Sequence, residues 1–167
     1  MTLYDPGLEI ALVMRIPGVE GGRAPSEMIS NVDVMPTILE LLGMDVPQSI
    51  QGRSFLPLLQ GTGYEPRDAV FGEKTYHAFY DPMRAIRTER WKLIANFEAA
   101  PAQETPIDYA NNARSYVETL KAAPPPFRFH PALELYDLQS DPHEANSLAE
   151  DPAHEAVRID LARRLRD

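Results

Sequence analysis

The chain has 167 residues, 44% of them hydrophobic, and a formal net charge of −9 at pH 7; that supports one domain with a real core and excludes a disordered chain. The acidic balance argues against a nucleic-acid binder, which needs basic patches to neutralise phosphates, although one pocket holding an Arg or Lys can still be locally positive for a sulfated substrate. The chain contains no cysteine, which removes disulfides, thiolate metal sites and thiol catalysis together.

Met1-Thr2-Leu3-Tyr4-Asp5 carries neither a basic region nor an apolar core, so no signal peptide is visible, and no later apolar run reaches the roughly 18 residues of a membrane span. Leu8–Ile16 is short and apolar and ends at Pro17-Gly18, which predicts a buried strand and a turn. Asp33 is placed to cap a helix that runs to Gly43, with Pro36 in its first turn. That helix is apolar on nearly every side, so it is expected to be buried. A strand followed by such a helix is one βα step, as at the edge of a layered sheet, and its natural partners are strands that this sequence lacks.

Gly52–Leu59 reads as a short helical connector and Ala69–Glu73 as a strand. Met83–Thr88 and Trp91–Phe97 read as two strands joined by a Glu89-Arg90 turn, with one wet and one buried face. Residues 98–130 predict an excursion with one helix near Tyr109–Leu120, stopped by Pro124-Pro125-Pro126. Leu133–Leu138 is another strand. Asp151 caps a last helix with Pro152 at its first position and Val157, Leu161 and Leu165 on its buried side. The expected fold is α/β: a terminal βα unit of a larger sheet in residues 1–64, then a small antiparallel sheet with a C-terminal helix in residues 65–167.

Four segments in this order resemble the type I sulfatase family, of the alkaline-phosphatase-like superfamily. They are Thr2-Leu3-Tyr4-Asp5-Pro6-Gly7 with the following apolar stretch, Ser30-Asn31-Val32-Asp33 through Gly43, Gly52-Arg53-Ser54 with Leu56-Pro57-Leu58-Leu59, and Glu134-Leu135-Tyr136-Asp137-Leu138 through Asn146-Ser147-Leu148. Asp81–Thr88 and the long insertion before Leu135 look most like the sulfamidase (heparan N-sulfatase) branch. Tyr80-Asp81-Pro82-Met83-Arg84 has the outline of the family's Cys/Ser-x-Pro-x-Arg nucleophile signature, but Tyr80 cannot be oxidised to a formylglycine. The resemblance implies a formylglycine nucleophile and a bound calcium in a part of the enzyme that lies upstream of every segment matched here. It therefore implies a C-terminal portion that assigns no catalytic residue and no metal ligand to this chain. Its partners would be the missing N-terminal half and a sulfated small molecule or sugar.

The candidate substrate contacts are His77, Arg84 and Glu73. His77 follows a strand, where related sulfatases often present a substrate-facing His; a half-exposed loop histidine is the plainer alternative. Arg84 offers a two-pronged guanidinium to a sulfate or carboxylate, or pairs internally with Asp81 or Asp137. Glu73 either accepts sugar hydroxyls or is a solvated strand-end carboxylate. Asp137, Asp141, His143 and Glu144 have metal-ligand chemistry but no ligand spacing, and read as a turn. The function implied is hydrolysis of sulfate esters or sulfamates. The alternatives are a related phosphoester or phosphonate hydrolase and a stand-alone binding domain.

Overall fold

The computed structural model describes residues 2–19, 21–77, 80–98 and 129–167. The helix expected near Tyr109–Leu120 and its proline stop lie outside the described residues. The chain forms two compact units: Ile10–Val70, and a second built from Met1–Glu9 together with Phe71–Asp167.

The second unit is a four-stranded sheet in the order β1 (Val70–Tyr76), β2 (Tyr80–Arg87), β3 (Trp91–Asn96), β4 (Leu133–Asp137). β3 runs antiparallel to both neighbours, with Ala85 opposite Ile94 and Leu93 opposite Leu135. The β2–β3 turn falls at Glu89-Arg90, where the Thr88 hydroxyl accepts the Trp91 N–H at 2.9 Å and the Thr88 N–H reaches the Trp91 carbonyl at 2.8 Å.

Pairing places Met83, Ala85, Arg87, Lys92, Ile94, Glu134 and Tyr136 on one face of the sheet, and Arg84, Ile86, Leu93, Leu135 and Asp137 on the other. The N-terminal strap lies on the first face. Its short helix α1 (Asp5–Leu8) follows Leu3, which packs with Met83, Ala85, Ile94 and Tyr136. A Cβ on Gly72 would stand 2.9 Å from the Leu8 Cδ2, so a side chain at that position would displace the strap. The C-terminal helix α4 (Glu155–Arg166) packs on β2 and β3 and buries Leu161. Asp151 accepts the Ala153 N–H at 2.9 Å and so caps the single 3-10 turn Pro152–His154 that leads into it.

The expected wet face is therefore dry. On that face Met83, Ala85 and Ile94 are buried, and so is Lys92. An alternating strand exposes one face only when nothing covers it; here a strap 80 to 130 residues distant in sequence covers the side that its polar residues marked as wet.

In the Ile10–Val70 unit, α2 (Val34–Leu41) follows a 3-10 turn, Asn31–Asp33, and packs against α3 (Leu56–Gln60). Gly43, at φ 68°, closes α2 as the sequence requires: its N–H reaches Glu40 O, and Met44 N–H reaches Leu39 O, both at 2.9 Å. Three expectations change here. The Asp33 side chain does not cap α2. Its carboxylate accepts the N–H groups of Ser30 and Arg53, each at 2.9 Å, and a two-pronged contact from Arg67. It thus joins three loops at a fully buried point. The helix is also buried only on the side of Pro36 and Thr37, while Met35, Ile38 and Leu42 face solvent. Finally, residues 9–16 pair with no strand among the described residues. An extended apolar segment becomes a strand only by sharing a hydrogen-bond ladder, and no described segment offers one.

Candidate functional site

The β1–β2 hairpin carries the three residues singled out from the sequence. Strand register sets Arg84 beside β1, where its Nε lies 3.3 Å from Glu73 Oε2. Its Nη1 donates to the carbonyls of Met83 (2.8 Å) and Lys74 (3.1 Å), and its Nη2 to Thr75 Oγ1 (3.3 Å). The guanidinium is thus held flat along the strand edge, half exposed, with Glu73 solvent-facing beside it. His77 lies just past the end of β1 and is exposed. The structure therefore brings Arg84 and Glu73 together and sets His77 at the far end of the same hairpin.

The internal partners expected for Arg84 are otherwise engaged. Asp81 pairs with Lys74 in a contact buried from solvent on both sides. Asp137 takes both prongs of Arg90, at 3.0 and 2.8 Å, and that contact lowers its pKa. Asp81 Oδ1 is buried with no hydrogen-bond partner among the described residues.

A second constellation escaped the sequence reading: the polar network beneath the strap. Lys92 Nζ lies 2.7 Å from Asp5 Oδ1 and 2.8 Å from Glu144 Oε1. The Asp5 backbone N–H donates to Glu144 Oε2 at 2.5 Å, and Arg87 reaches the Asp5 carboxylate at 3.2 Å. Glu144 holds this geometry at φ 52°, the sole positive-φ non-glycine residue described. Beside it, Glu134 accepts the hydroxyls of Tyr4 (2.7 Å) and Tyr136 (2.6 Å) and the amide of Asn96 (2.8 Å). Burial pushes the Glu134 carboxyl up, but His130, Tyr136, Tyr4 and Asn96 outweigh it and hold the pKa at about 2. Burial and the Glu134 charge push both phenols upward. Lys92 and Glu134 stand on the face of β3 and β4 that the strap covers, among residues that are almost all buried. That placement was the one available sign, and it is legible only once the covering strap is known.

The Asp141–Glu144 segment is a turn. Asp141 accepts the Asn146 N–H at 2.8 Å, and Glu144 turns inward to Lys92. Among the described residues, no three His, Asp or Glu side chains stand together as a metal cage. Calcium needs six to eight oxygen ligands, and a formylglycine needs a Cys or Ser precursor, whereas the look-alike of that signature in this chain carries Tyr80. The residues present do not fit either group.

Known proteins agree with this architecture. An ulvan-active sulfatase of Formosa agariphila is 34% identical over 165 residues, covering 96% of this chain and 32% of its own length. The multifunctional alkaline phosphatase superfamily protein PehA of Trinickia caryophylli is 31% identical, covering 93% of this chain and 27% of its own. The solved structure of a 2-O glycosaminoglycan sulfatase superposes with a TM-score of 0.63 at 24% identity, over 90% of this chain and 27% of that one, and so shares the fold. The chain thus spans about a third or less of the length of the relatives it matches. Residues 1–115 match the family model described as N-sulphoglucosamine sulphohydrolase, C-terminal, and this chain belongs to that family of sulfatase C-terminal regions.

Proposed function

We propose that this chain is the C-terminal portion of a hydrolase of sulfate esters or sulfamates on sugars, that it completes the fold, and that it forms one wall of the substrate pocket. One observation carries the reading. The match runs along 96% of this chain while filling only 32% of an ulvan-active sulfatase. The nucleophile and the calcium site belong to the upstream part. Arg84, oriented by Glu73 and the carbonyls of Lys74 and Met83, supplies the positive group for a substrate anion, and His77 stands just past the end of β1.

The test joins this chain in frame behind the upstream two thirds of the Formosa agariphila sulfatase. Aryl sulfate and N-sulfoglucosamine are assayed with calcium. The joined protein should turn over at least one of them and the chain alone neither; turnover by the isolated chain that survives repurification would overturn the assignment. The likeness to PehA, an alkaline phosphatase superfamily protein, and the fold shared with a phosphonate monoester hydrolase leave a second reading, a phosphoester or phosphonate hydrolase. A phosphonate monoester assayed in parallel separates the two, since the proposal expects the sulfated substrates to be preferred.

A further inference from the structure

Three exposed aromatic rings surround the Arg84–Glu73 pair on one face of the sheet. A connection of a few residues joins β1 to β2 and permits antiparallel pairing alone, and residues two apart on a strand share a face. The contacts from Arg84 to Glu73 and Thr75 therefore put Phe71, Glu73 and Thr75 on the face that holds Tyr80 and Arg84. Phe97 donates its N–H to the Pro82 carbonyl at 3.0 Å, one step beyond the pairing of Met83 with Asn96, and so stands on that face as well. Phe71, Tyr80 and Phe97 are 62%, 59% and 63% exposed, whereas Ile86, Leu93 and Leu135 on the same face are fully buried. Exposed apolar groups gathered in one open part of a face mark a binding surface.

Arg84 keeps one donor for a ligand. A guanidinium carries five N–H groups; Glu73, Thr75 and the carbonyls of Lys74 and Met83 take four, which leaves one on Nη2 unmatched among the described residues. The Glu73 carboxylate beside it is open to solvent. Antiparallel pairing sets Phe71 and Tyr80 on opposite sides of this pair. Phe71 precedes Glu73 by two positions and Tyr80 precedes Arg84 by four, so the rings span about 20 Å of strand at roughly 3.3 Å per residue. That is more than a single sugar ring covers.

We infer that this face is a platform for a sulfated oligosaccharide, whose sugar rings stack on Phe71, Tyr80 and Phe97 while a sulfate takes the remaining Arg84 N–H and a hydroxyl donates to Glu73. The inference rests on the proposed function for Arg84 as a substrate contact, and it adds the sugars that flank the reacting one. Two reasons select this occupant. A sugar offers apolar C–H faces to the rings and hydroxyls to the charged pair, whereas an apolar protein layer would strip water from Arg84 and Glu73 and replace nothing. The chain's net charge of −9 also repels polyanions in general, so a sulfated chain is held only where a positive group such as Arg84 faces it.

The test measures binding of the chain to hexasaccharides of heparan sulfate and of chondroitin sulfate, to their desulfated forms, to N-sulfoglucosamine and to polyphosphate. At least one sulfated hexasaccharide should bind at least about 10-fold more tightly than its desulfated form, the monosaccharide and polyphosphate. Phe71→Ala/Phe97→Ala should weaken that binding by at least about 10-fold through the loss of two ring contacts. Tyr76→Ala should bind like the parent, because its ring is also exposed but alternates onto the opposite face. Saturation-transfer NMR on the parent needs no variant and should show transfer from aromatic protons of the protein to C–H groups of the sugar. Absence of binding, equal binding of polyphosphate, an equal loss in Tyr76→Ala, or no transfer to the sugar C–H groups overturns the inference. A discrete dimer that Phe71→Ala/Phe97→Ala abolishes assigns the face to a second copy and also overturns it. A joined enzyme that hydrolyses N-sulfoglucosamine while the chain shows no ring-dependent binding sinks the platform alone. Ring-dependent binding by a chain whose joined enzyme hydrolyses no sulfated substrate upholds the platform and sinks the hydrolase reading.

Discussion

Glu134 sits where the strap, β3 and β4 meet, and its acidity follows from the hydroxyls and amide aimed at it. A carboxyl whose folded pKa is depressed, here from 4.5 to about 2, contributes stability that is present above pH 4.5. That contribution is lost as pH falls toward the folded value. The melting temperature should therefore drop between these limits, and Glu134→Gln should flatten the drop; an unchanged profile in the variant would remove Glu134 as its source. Arg84 offers a different residue-level test. In the joined enzyme, Arg84→Ala should lower kcat/KM by about ten- to a hundred-fold, which is about 1.5–3 kcal/mol for a charge-assisted contact. If the guanidinium serves only the strand edge and Glu73, the variant should instead melt earlier while its folded fraction keeps full kcat/KM.

Among the elements, α4 was legible in the sequence because both of its signals are local. Pro152 and Asp151 mark its start, and Leu161 and Leu165 recur on one side. The structure confirms the cap and buries Leu161, with Leu165 half-buried. Leu161→Ala should cost about 2–5 kcal/mol of stability, the usual range for a large-to-small change in a core, read from urea unfolding. A loss below about 0.5 kcal/mol would show that α4 contributes little to the sheet. The strand expected at Leu8–Ile16 is the opposite case. Its apolar run is a strand signal by composition, but pairing is a property of two segments, and no described segment supplies the second. The side chain of Asp33 was placed on α2 by proximity in sequence. The neighbouring Ser30 N–H and two residues from distant loops, Arg53 and Arg67, draw it elsewhere, because two-pronged arginine pairing outweighs one capping bond.

At the level of the whole molecule, the two units give two separable stability readouts. Trp91, the single tryptophan of the chain, lies in the unit that contains the sheet, and its fluorescence reports that unit alone. Lys92→Met leaves Asp5 and Glu144 facing one another without their buried cation, a loss of about 3–5 kcal/mol, and should shift the Trp91 transition. Gly52→Ala places a Cβ 1.8 Å from the Val32 carbonyl oxygen in the other unit. It should lower the CD-detected transition by about 1–3 kcal/mol through overpacking and leave the Trp91 signal in place. Coincident shifts by both probes in both variants would show that the two units unfold as one.

The sequence by itself determined the family through four ordered segments, the four strands of the small sheet, the turn at Glu89-Arg90 and the ends of α4. Each of these depends on contacts within a few residues or on short runs of fixed period. Only the tertiary structure decided that Lys92 and Glu134 are buried, that Glu73 rather than Asp81 or Asp137 partners Arg84, and that the strap closes the sheet. Those outcomes depend on which distant residues reach each side chain. A lysine in a strand reads as a wet face until Asp5 and Glu144, from opposite ends of the chain, arrive to neutralise it.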